Sequence, residues 1–272
     1  MYMVRTIMCE VRSGDTCGAF YSCVPISRRS NVPPARTKRC VARRWSAQGA
    51  NLFLTGRHSA RLDAVAQDLR VRGAGQVATH ILDVTDHLQH PAMLAACRAA
   101  LGRIDIVLIA HGTLSDQAQC ERDVEAVMRE MSTNAMSTIA LRTQLASVFE
   151  EQKSGTIAVI SSVADERGRP SNYVYGAAKA AVTTFCEGLR ARLFKSGVGV
   201  LTIKPGFVDT PMTVGRSVPG PLVAAPDRVA ADIVRAIERG KDSLYTPWFW
   251  SALGLVIGYL AKYRLDKRFV FA

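Results

Sequence analysis

From Trp45 onward, short continuous apolar runs alternate with stretches whose apolar residues recur at helical spacing. The runs predict strands at residues 51–55, 76–82, 104–110, 156–161, 198–203 and 244–246. The helical spacing predicts helices at residues 59–72, 88–101, 115–151, 173–195 and 226–239. Strands this apolar are buried on both faces, and strands that alternate with long helices pair in parallel. The pattern therefore predicts an α/β fold in which helices cover both faces of a parallel sheet.

The first 44 residues do not share this pattern. They contain no Leu, show no clear periodicity and hold nine Lys or Arg residues against Glu10 and Asp15. Four of the seven cysteines also lie in this stretch. We therefore divide the chain into an atypical basic, Cys-rich segment (residues 1–40), a main domain (residues 41–246) and a C-terminal tail (residues 247–272).

Composition narrows the class of protein further. The chain has 272 residues, 48% of them apolar and 21% charged, which fits one globular domain and excludes wholesale disorder. More than half of the net charge of +12 belongs to residues 1–44, so we expect no nucleic-acid partner. The cysteines form no Cys-x-x-Cys pair and no zinc spacing, which predicts no metal site and a cytoplasmic location.

Four polar residues are candidates for catalysis. Tyr175 and Lys179 stand four residues apart near the start of a predicted helix, so their side chains share one face. A cation beside a Tyr hydroxyl favours the phenolate and makes it a better acid or base. On its own, the pair is better explained as a packing Tyr and a surface Lys one turn away. Ser162 ends a predicted strand thirteen residues before Tyr175. Asn134 lies inside a predicted helix, where Asn is a mediocre helix former and needs a reason to be present.

These four residues, with the later Pro205-Gly206-x-Val208-x-Thr210 sequence, resemble the short-chain dehydrogenase/reductase family. The resemblance implies a Rossmann-like doubly wound parallel sheet and an NAD(P)-dependent oxidoreductase that reduces a carbonyl or oxidises a secondary alcohol. It implies that Tyr175 exchanges the proton and that Lys179 lowers the pKa of Tyr175. Ser162 would bind the reacting oxygen, and Asn134 would hold a water in the proton relay.

The resemblance also implies a cofactor site. Its residues would be Arg57, Asp83, Val84, Ala110, Gly112, Tyr175, Lys179, Pro205, Gly206, Val208 and Thr210. Arg57 directly follows a predicted strand, where a guanidinium suits the 2′-phosphate of NADP(H), so NAD(P)H with a preference for NADP(H) is expected. The alternatives are that Arg57 is a solvated loop residue and that Asp83 belongs to a helix cap.

A narrower similarity concerns the substrate. The stretch that contains Ser162 and Tyr175, together with Ala110-His111-Gly112, resembles the branch that contains the decaprenylphosphoryl-2-keto-ribose reductases. That branch implies a lipid-linked carbonyl substrate, whereas the family in general implies a small-molecule one. Residues 243–261 carry no charge and are followed by basic residues. We expect residues 247–268 to contact the inner face of a membrane; the alternative is packing on the substrate pocket or in a homo-oligomer.

One family feature is missing. A Thr-Gly-x-x-x-Gly-x-Gly loop, which lets the backbone approach the cofactor pyrophosphate, should occupy residues 31–38. The residues there are Asn-Val-Pro-Pro-Ala-Arg-Thr-Lys, without glycine, and Gly14 and Gly18 are a poor substitute. Residues 1–40 are then either frame-shifted or mis-started sequence, or a divergence that has lost nucleotide binding. The second reading makes the chain a catalytically silent binding protein of the same fold.

Overall fold

A computed structural model of the protein describes the backbone of residues 5–10 and, in full, residues 37–210 and 220–252. Its strands are β1 Arg5–Glu10, β2 Asn51–Gly56, β3 Val77–Ile81, β4 Ile106–Ile109, β5 Gly155–Ile160, β6 Val198–Pro205, β7 Phe207–Val208, β8 Val223–Ala224 and β9 Ser243–Thr246. Its α-helices are α1 Thr37–Ser46, α2 Ser59–Val71, α3 His90–Leu101, α4 Gln117–Cys120, α5 Val124–Met131, α6 Ser137–Gln152, α7 Tyr173–Leu193 and α8 Pro226–Glu238.

Seven strands form one parallel sheet in the order β3-β2-β1-β4-β5-β6-β9. The order reverses direction between β1 and β4, which is the switch point of a doubly wound fold. Ligands of such sheets bind in the crevice beyond the carboxyl ends of the strands at this point. The predicted α/β, Rossmann-like sheet is thereby confirmed, and its crevice is where a site is sought.

The central strand β1 differs from the sequence expectation. Arg5–Glu10 pairs with β2 on one side and with β4 on the other, whereas the sequence pattern predicted no strand before residue 51. The strand carries the residues Thr6, Ile7 and Met8, whose type suits a strand, but this run is short and flanked by charges. Helix α1 also begins at Thr37, before the expected domain start at residue 41.

Two apolar layers hold the helices to the sheet. On one face, α3, α6 and α7 bury side chains such as Met93, Leu145 and Val182 against the sheet. On the other face, α1, α2 and α8 bury Trp45, Leu69 and other apolar side chains. Continuous apolar strands are needed for a sheet covered on both sides, and this is the pattern seen in the sequence.

The expected helix at residues 115–151 is instead a series of shorter helices. Asp116 and Asp123 cap α4 and α5, because their carboxylates accept hydrogen bonds from the backbone N–H groups of Ala118 and Glu125. A π-helical turn, Ser132–Met136, then joins α5 to α6. Such turns are frequent at functional sites, and this one contains Asn134.

Candidate active site

Helix α7 places Tyr175 and Lys179 one turn apart on the same face. The Nζ atom of Lys179 lies 5.6 Å from the centre of the Tyr175 ring. The same Nζ donates a hydrogen bond of 3.1 Å to the carbonyl oxygen of Ile160, the last residue of β5. The ammonium is therefore held at the carboxyl edge of the sheet, beside the phenol.

The buried position of Lys179 controls its charge. Its side chain is only 4% exposed, and burial lowers the pKa of the ammonium to about 8. The carboxylates of Glu130 and Asp165 raise that pKa, while the guanidinium of Arg142 lowers it further. Near neutral pH, Lys179 thus remains largely protonated although it is almost out of contact with water.

Ser162 lies just beyond β5, in an extended conformation. Its Oγ accepts a hydrogen bond of 3.1 Å from the backbone N–H of Ala164 and so caps the short 3-10 helix Val163–Asp165. The preceding residue, Ser161, donates from its Oγ to the carbonyl oxygen of Lys179 over 3.2 Å. These contacts tie the end of β5 to α7, which carries Tyr175.

The amide of Asn134 joins the π-helical turn to the segment after β4. Its Oδ1 accepts a hydrogen bond of 3.1 Å from the backbone N–H of Thr113, and its Nδ2 donates to the carbonyl oxygen of Thr113, also over 3.1 Å. A β-carbon on Gly112 would lie 2.5 Å from Asn134 Oδ1 and 3.4 Å from Lys179 Nζ. Because Gly112 has no β-carbon, the side chains of Asn134 and Lys179 can both lie beside it.

A buried carboxylate that the sequence analysis missed lies next to this point. Glu130 is 1% exposed, and its Oε1 accepts a hydrogen bond of 2.7 Å from Asn134 Nδ2. Its Oε2 accepts hydrogen bonds from Thr113 Oγ1, over 2.8 Å, and from Ser115 Oγ. The i, i+4 spacing of Glu130 and Asn134 was the one available signal, since both positions share a helix face.

His111 is neutral, although it is surrounded by polar atoms. Its Nε2 lies 2.8 Å from Ser137 Oγ and 3.0 Å from Thr138 Oγ1. Both hydroxyls already donate to backbone carbonyls of the π-helical turn, so Nε2 carries the proton in this network. Burial, followed by the charge of Lys179, lowers the pKa of His111 to about 3.

Two residues expected to bind the adenosine end of a cofactor lie at the carboxyl ends of β2 and β3. Arg57 Nη1 is 3.6 Å from Asp83 Oδ2. Partial burial raises the pKa of Asp83, but hydrogen bonds from Thr85 and the charge of Arg57 outweigh this and hold the pKa below its usual value. Val84 is fully buried, and its carbonyl oxygen lies 3.0 Å from His90 Nε2.

Pro205 and Gly206, which the family resemblance assigns to the nicotinamide side, lie at the end of β6. The backbone N–H of Gly206 donates to the carbonyl oxygen of Thr246 over 3.1 Å, directly after Pro205. A β-carbon on Gly206 would overlap the indole of Trp250, which is buried and meets the ring of Phe207 edge-on at 5.7 Å. No motif in the sequence pointed to a role for Trp250.

Val208 and Thr210 complete the expected set of cofactor residues. Val208 pairs with Ala224 in the small sheet of β7 and β8, and Thr210 is the last residue before the break in the described chain. Ala110 lies directly after β4 and packs against the core. Residues 11–36, with Gly14 and Gly18 and most of the expected glycine loop, lie outside the described residues, as do residues 253–272 of the tail.

Two further observations concern metals and membranes. Within residues 37–210 and 220–252, no group of three or more His, Cys, Asp or Glu side chains is arranged to hold a metal ion. Among the helices that the structure describes, none has the length and apolar character needed to cross a bilayer.

Comparison with known proteins connects this geometry to a family. The short chain dehydrogenase family matches residues 39–218. An uncharacterized oxidoreductase of Mycobacterium tuberculosis is 36% identical over 223 residues, which are 82% of this chain and 89% of that protein. An uncharacterized oxidoreductase from the mprA 5′ region of Streptomyces coelicolor is 36% identical over 209 residues, or 76% of this chain and 81% of that protein.

Proposed function

The chain belongs to the short-chain dehydrogenase family, and on that premise we propose that it interconverts a carbonyl and a secondary alcohol, with Tyr175 as the acid or base. One observation carries the proposal: the ammonium of Lys179 is held beside Tyr175 at the carboxyl edge of the sheet, next to Asn134. A phenol with a fixed cation beside it is suited to proton transfer near neutral pH.

The proposed dinucleotide site is the crevice beyond the carboxyl ends of the strands, where ligands of doubly wound sheets bind. Because Gly112 has no β-carbon, the Asn134 amide and the Lys179 ammonium both lie close to the backbone after β4, on the proposed nicotinamide side. Arg57 and Asp83 line the opposite half of the crevice, beyond β2 and β3. NAD(P)H, when bound, supplies the hydride. In the proposed arrangement, Lys179 holds the nicotinamide ribose, and Arg57 and Asp83 hold the adenosine end.

The protein's own residues then handle the proton. During reduction, the Tyr175 hydroxyl donates its proton to the substrate oxygen while the charge of Lys179 stabilises the phenolate left behind. Ser162 donates a hydrogen bond to the same oxygen and so polarises the carbonyl. Asn134, whose amide is fixed by Thr113 and Glu130, holds a water that returns a proton towards Lys179 and Tyr175. Oxidation of the alcohol follows the same steps in reverse.

We further propose that NADP(H) is preferred. Arg57 Nη1 and Asp83 Oδ2 are 3.6 Å apart, and the Arg57 side chain is 37% exposed. The guanidinium therefore retains donors that can turn to a 2′-phosphate without losing its position at the end of β2. NADH has no such phosphate.

For the substrate, we propose an apolar or lipid-linked carbonyl compound. The support is the uncharged stretch 243–261, with Trp248 73% exposed in its described part and basic residues after it. Such a segment suits peripheral contact of residues 247–268 with the inner face of a membrane, in a cytoplasmic protein. A homo-oligomer is proposed from the exposed apolar side chains of Val124 and Met128 on α5.

NADPH-dependent turnover of a ketone series with increasing alkyl chain length tests this function. The proposal predicts measurable turnover that rises with chain length and increases further when the longest ketones are presented in anionic vesicles. Absence of turnover with every carbonyl compound at saturating NADPH and NADH would contradict the oxidoreductase assignment. Turnover that falls with chain length would contradict the apolar substrate alone.

A further inference from the structure

Glu130 of α5 is a carboxylate buried beside the proposed catalytic residues. Its three hydrogen-bond partners among the described residues are the amide of Asn134 and the hydroxyls of Thr113 and Ser115. Thr113 Oγ1 also accepts a hydrogen bond from Asn134 Nδ2, so its own hydrogen points to Glu130. The environment therefore suits the ionised, acceptor-only form of the carboxylate.

The charge of Glu130 is not cancelled by a cation in direct contact, within residues 37–210 and 220–252. Asp165, the other carboxylate that acts on Lys179, differs in this respect because its Oδ1 lies 3.3 Å from Lys204 Nζ. The donors that Glu130 meets in the described part of the chain are all neutral. Asn134 donates to Glu130 over 2.7 Å, and Asn134 Oδ1 and Lys179 Nζ lie 2.5 and 3.4 Å from the position of a β-carbon on Gly112. The negative charge of Glu130 therefore acts on the buried ammonium of Lys179 from close by.

Several elements place titratable groups around Glu130 and Lys179. Around Lys179 they are Tyr175 on α7, Glu130 on α5, Arg142 on α6, His111 after β4 and Asp165 after β5. Cys120 on α4 interacts with Glu130, and the two helix-capping carboxylates Asp116 and Asp123 act on the same thiol. Arg142 is fully buried and disfavours a charged Lys179, so a compensating anion is needed on this side.

We propose that Glu130 is a positioning residue that fixes the amide of Asn134 and supplies the negative charge that keeps Lys179 protonated beside Tyr175. The inference rests on the proposed function, in which Tyr175 exchanges the proton. One carboxylate therefore serves both ends of the relay: its Oε1 orients Asn134, and its charge acts on Lys179.

Loss of the Glu130 charge changes the protonation of Lys179 and, through it, proton transfer by Tyr175. Without the carboxylate, burial and Arg142 leave Lys179 neutral at lower pH. A neutral amine no longer favours the phenolate of Tyr175, so proton transfer becomes slower as the ammonium is lost. The effect is seen first on the alkaline side of the pH profile, where Lys179 titrates.

The test is the titration of Lys179 followed by NMR in protein labelled with 13C at lysine Cε. The resonance absent from Lys179→Met identifies Lys179. Glu130→Gln keeps the size of the side chain and removes the charge; its amide oxygen still accepts from Asn134 and its amide nitrogen faces two hydroxyls that can accept. We expect the titration midpoint of Lys179 to fall by about one pH unit or more in Glu130→Gln.

Two controls make the result specific. Glu125→Gln removes one charge from the exposed face of the same helix and leaves the midpoint unchanged. Glu130→Asp keeps the charge and retains most of the wild-type midpoint. An unchanged midpoint in Glu130→Gln, or an equal fall in Glu125→Gln, overturns the proposal.

The NMR titration needs no turnover, so it stands apart from the proposed function. Where turnover is measured, the alkaline limb of kcat moves to lower pH by the same amount in Glu130→Gln. If the titration midpoint of Lys179 falls but the alkaline limb of kcat does not move, the catalytic role of Tyr175 and Lys179 is contradicted. The interaction between Glu130 and Lys179 would still stand.

If Glu130→Gln alone does not fold, the double variant Glu130→Gln, Lys179→Met decides between two explanations. A double variant that folds supports an electrostatic interaction between Glu130 and Lys179. A double variant that stays unfolded shows that Glu130 serves only packing and overturns the proposal.

Discussion

Arg57 lies 3.6 Å from Asp83 across the carboxyl ends of the adjacent strands β2 and β3. Both side chains are more than one third exposed, so the ion pair is screened by water and costs little to rearrange. Asp83 is also held by Thr85, whose N–H and hydroxyl donate to Asp83 Oδ1 over 3.0 and 2.7 Å. The carboxylate is thus fixed, while the guanidinium can turn towards a ligand.

Arg57→Ala is predicted to weaken NADPH binding by about tenfold or more and NADH binding much less, because only NADPH offers a 2′-phosphate to the guanidinium. Calorimetric titration with both nucleotides measures the two effects. Arg61→Ala, an exposed change of the same charge on α2, serves as the control and is expected to leave the ratio unchanged. Equal losses of the two affinities, or a wild-type preference for NADH, contradict the NADP(H) assignment.

Residues 31–38 are predicted to limit nucleotide affinity. Pro33 and Pro34 lack the backbone N–H that a pyrophosphate loop donates, and no glycine allows close approach. Helix α1 begins at Thr37, so residues 31–36 directly precede it and the last glycine of such a loop would fall in its first turn. Replacing residues 31–38 by Thr-Gly-x-x-x-Gly-x-Gly is expected to tighten NADPH binding to the micromolar range, about tenfold or more.

A glycine-free Ser/Ala octapeptide in the same place is the control for this replacement, and it is expected to leave affinity low. Calorimetry measures the NADPH affinity of the original chain, the glycine-loop replacement and the Ser/Ala control. Tight binding by the original chain would show that residues 31–38 do not limit affinity, and it would remove the argument for a silent binding protein.

His111 is predicted to make the fold sensitive to acid. Its pKa is about 3 in the folded protein and 6.5 when unperturbed, so the unfolded chain takes up the proton first as pH falls. The stability that depends on neutral His111 is therefore complete above pH 6.5 and is lost progressively down to about pH 3. By pH 5 the loss amounts to about 2 kcal/mol.

Urea denaturation at pH 7 and pH 5 measures this loss. His111→Gln keeps a donor for Ser137 and Thr138 but does not titrate, so its stability should fall less between the two pH values than that of the wild type. His58→Gln, at an exposed position, should behave like the wild type. An identical pH dependence of wild type and His111→Gln would contradict the buried neutral state.

The strands and helices with a clear hydrophobic pattern were predictable from the sequence. Strands β4, β5 and β6 are continuous apolar runs, and a sheet covered on both faces needs such runs. The i, i+4 spacing also indicated that Tyr175 and Lys179 share a helix face, and the structure places the Lys179 ammonium beside the Tyr175 ring. Local patterns of this kind require no knowledge of distant contacts.

Other features depend on contacts that sequence spacing does not reveal. Strand β1 is a short run with Arg5 and Glu10 at its ends, and only its pairing with β2 and β4 makes it central. In the sequence, Glu130 resembles a solvent-facing helix residue, and only the contact with Thr113 in the segment after β4 shows that it is buried. Trp250 belongs to an apolar tail in the sequence, yet it is buried against Gly206 at the end of β6.

Turnover of Tyr175→Phe at saturating NADPH is the measurement that decides whether Tyr175 supplies the proton. The substitution removes the hydroxyl but little volume, so the protein should fold and kcat should drop by about 100-fold or more. Tyr173→Phe removes the same group from an exposed side chain two residues earlier on α7 and should keep kcat within about twofold of the wild type. Near-full activity of Tyr175→Phe, or equal losses in the two variants, would show that the proton comes from elsewhere.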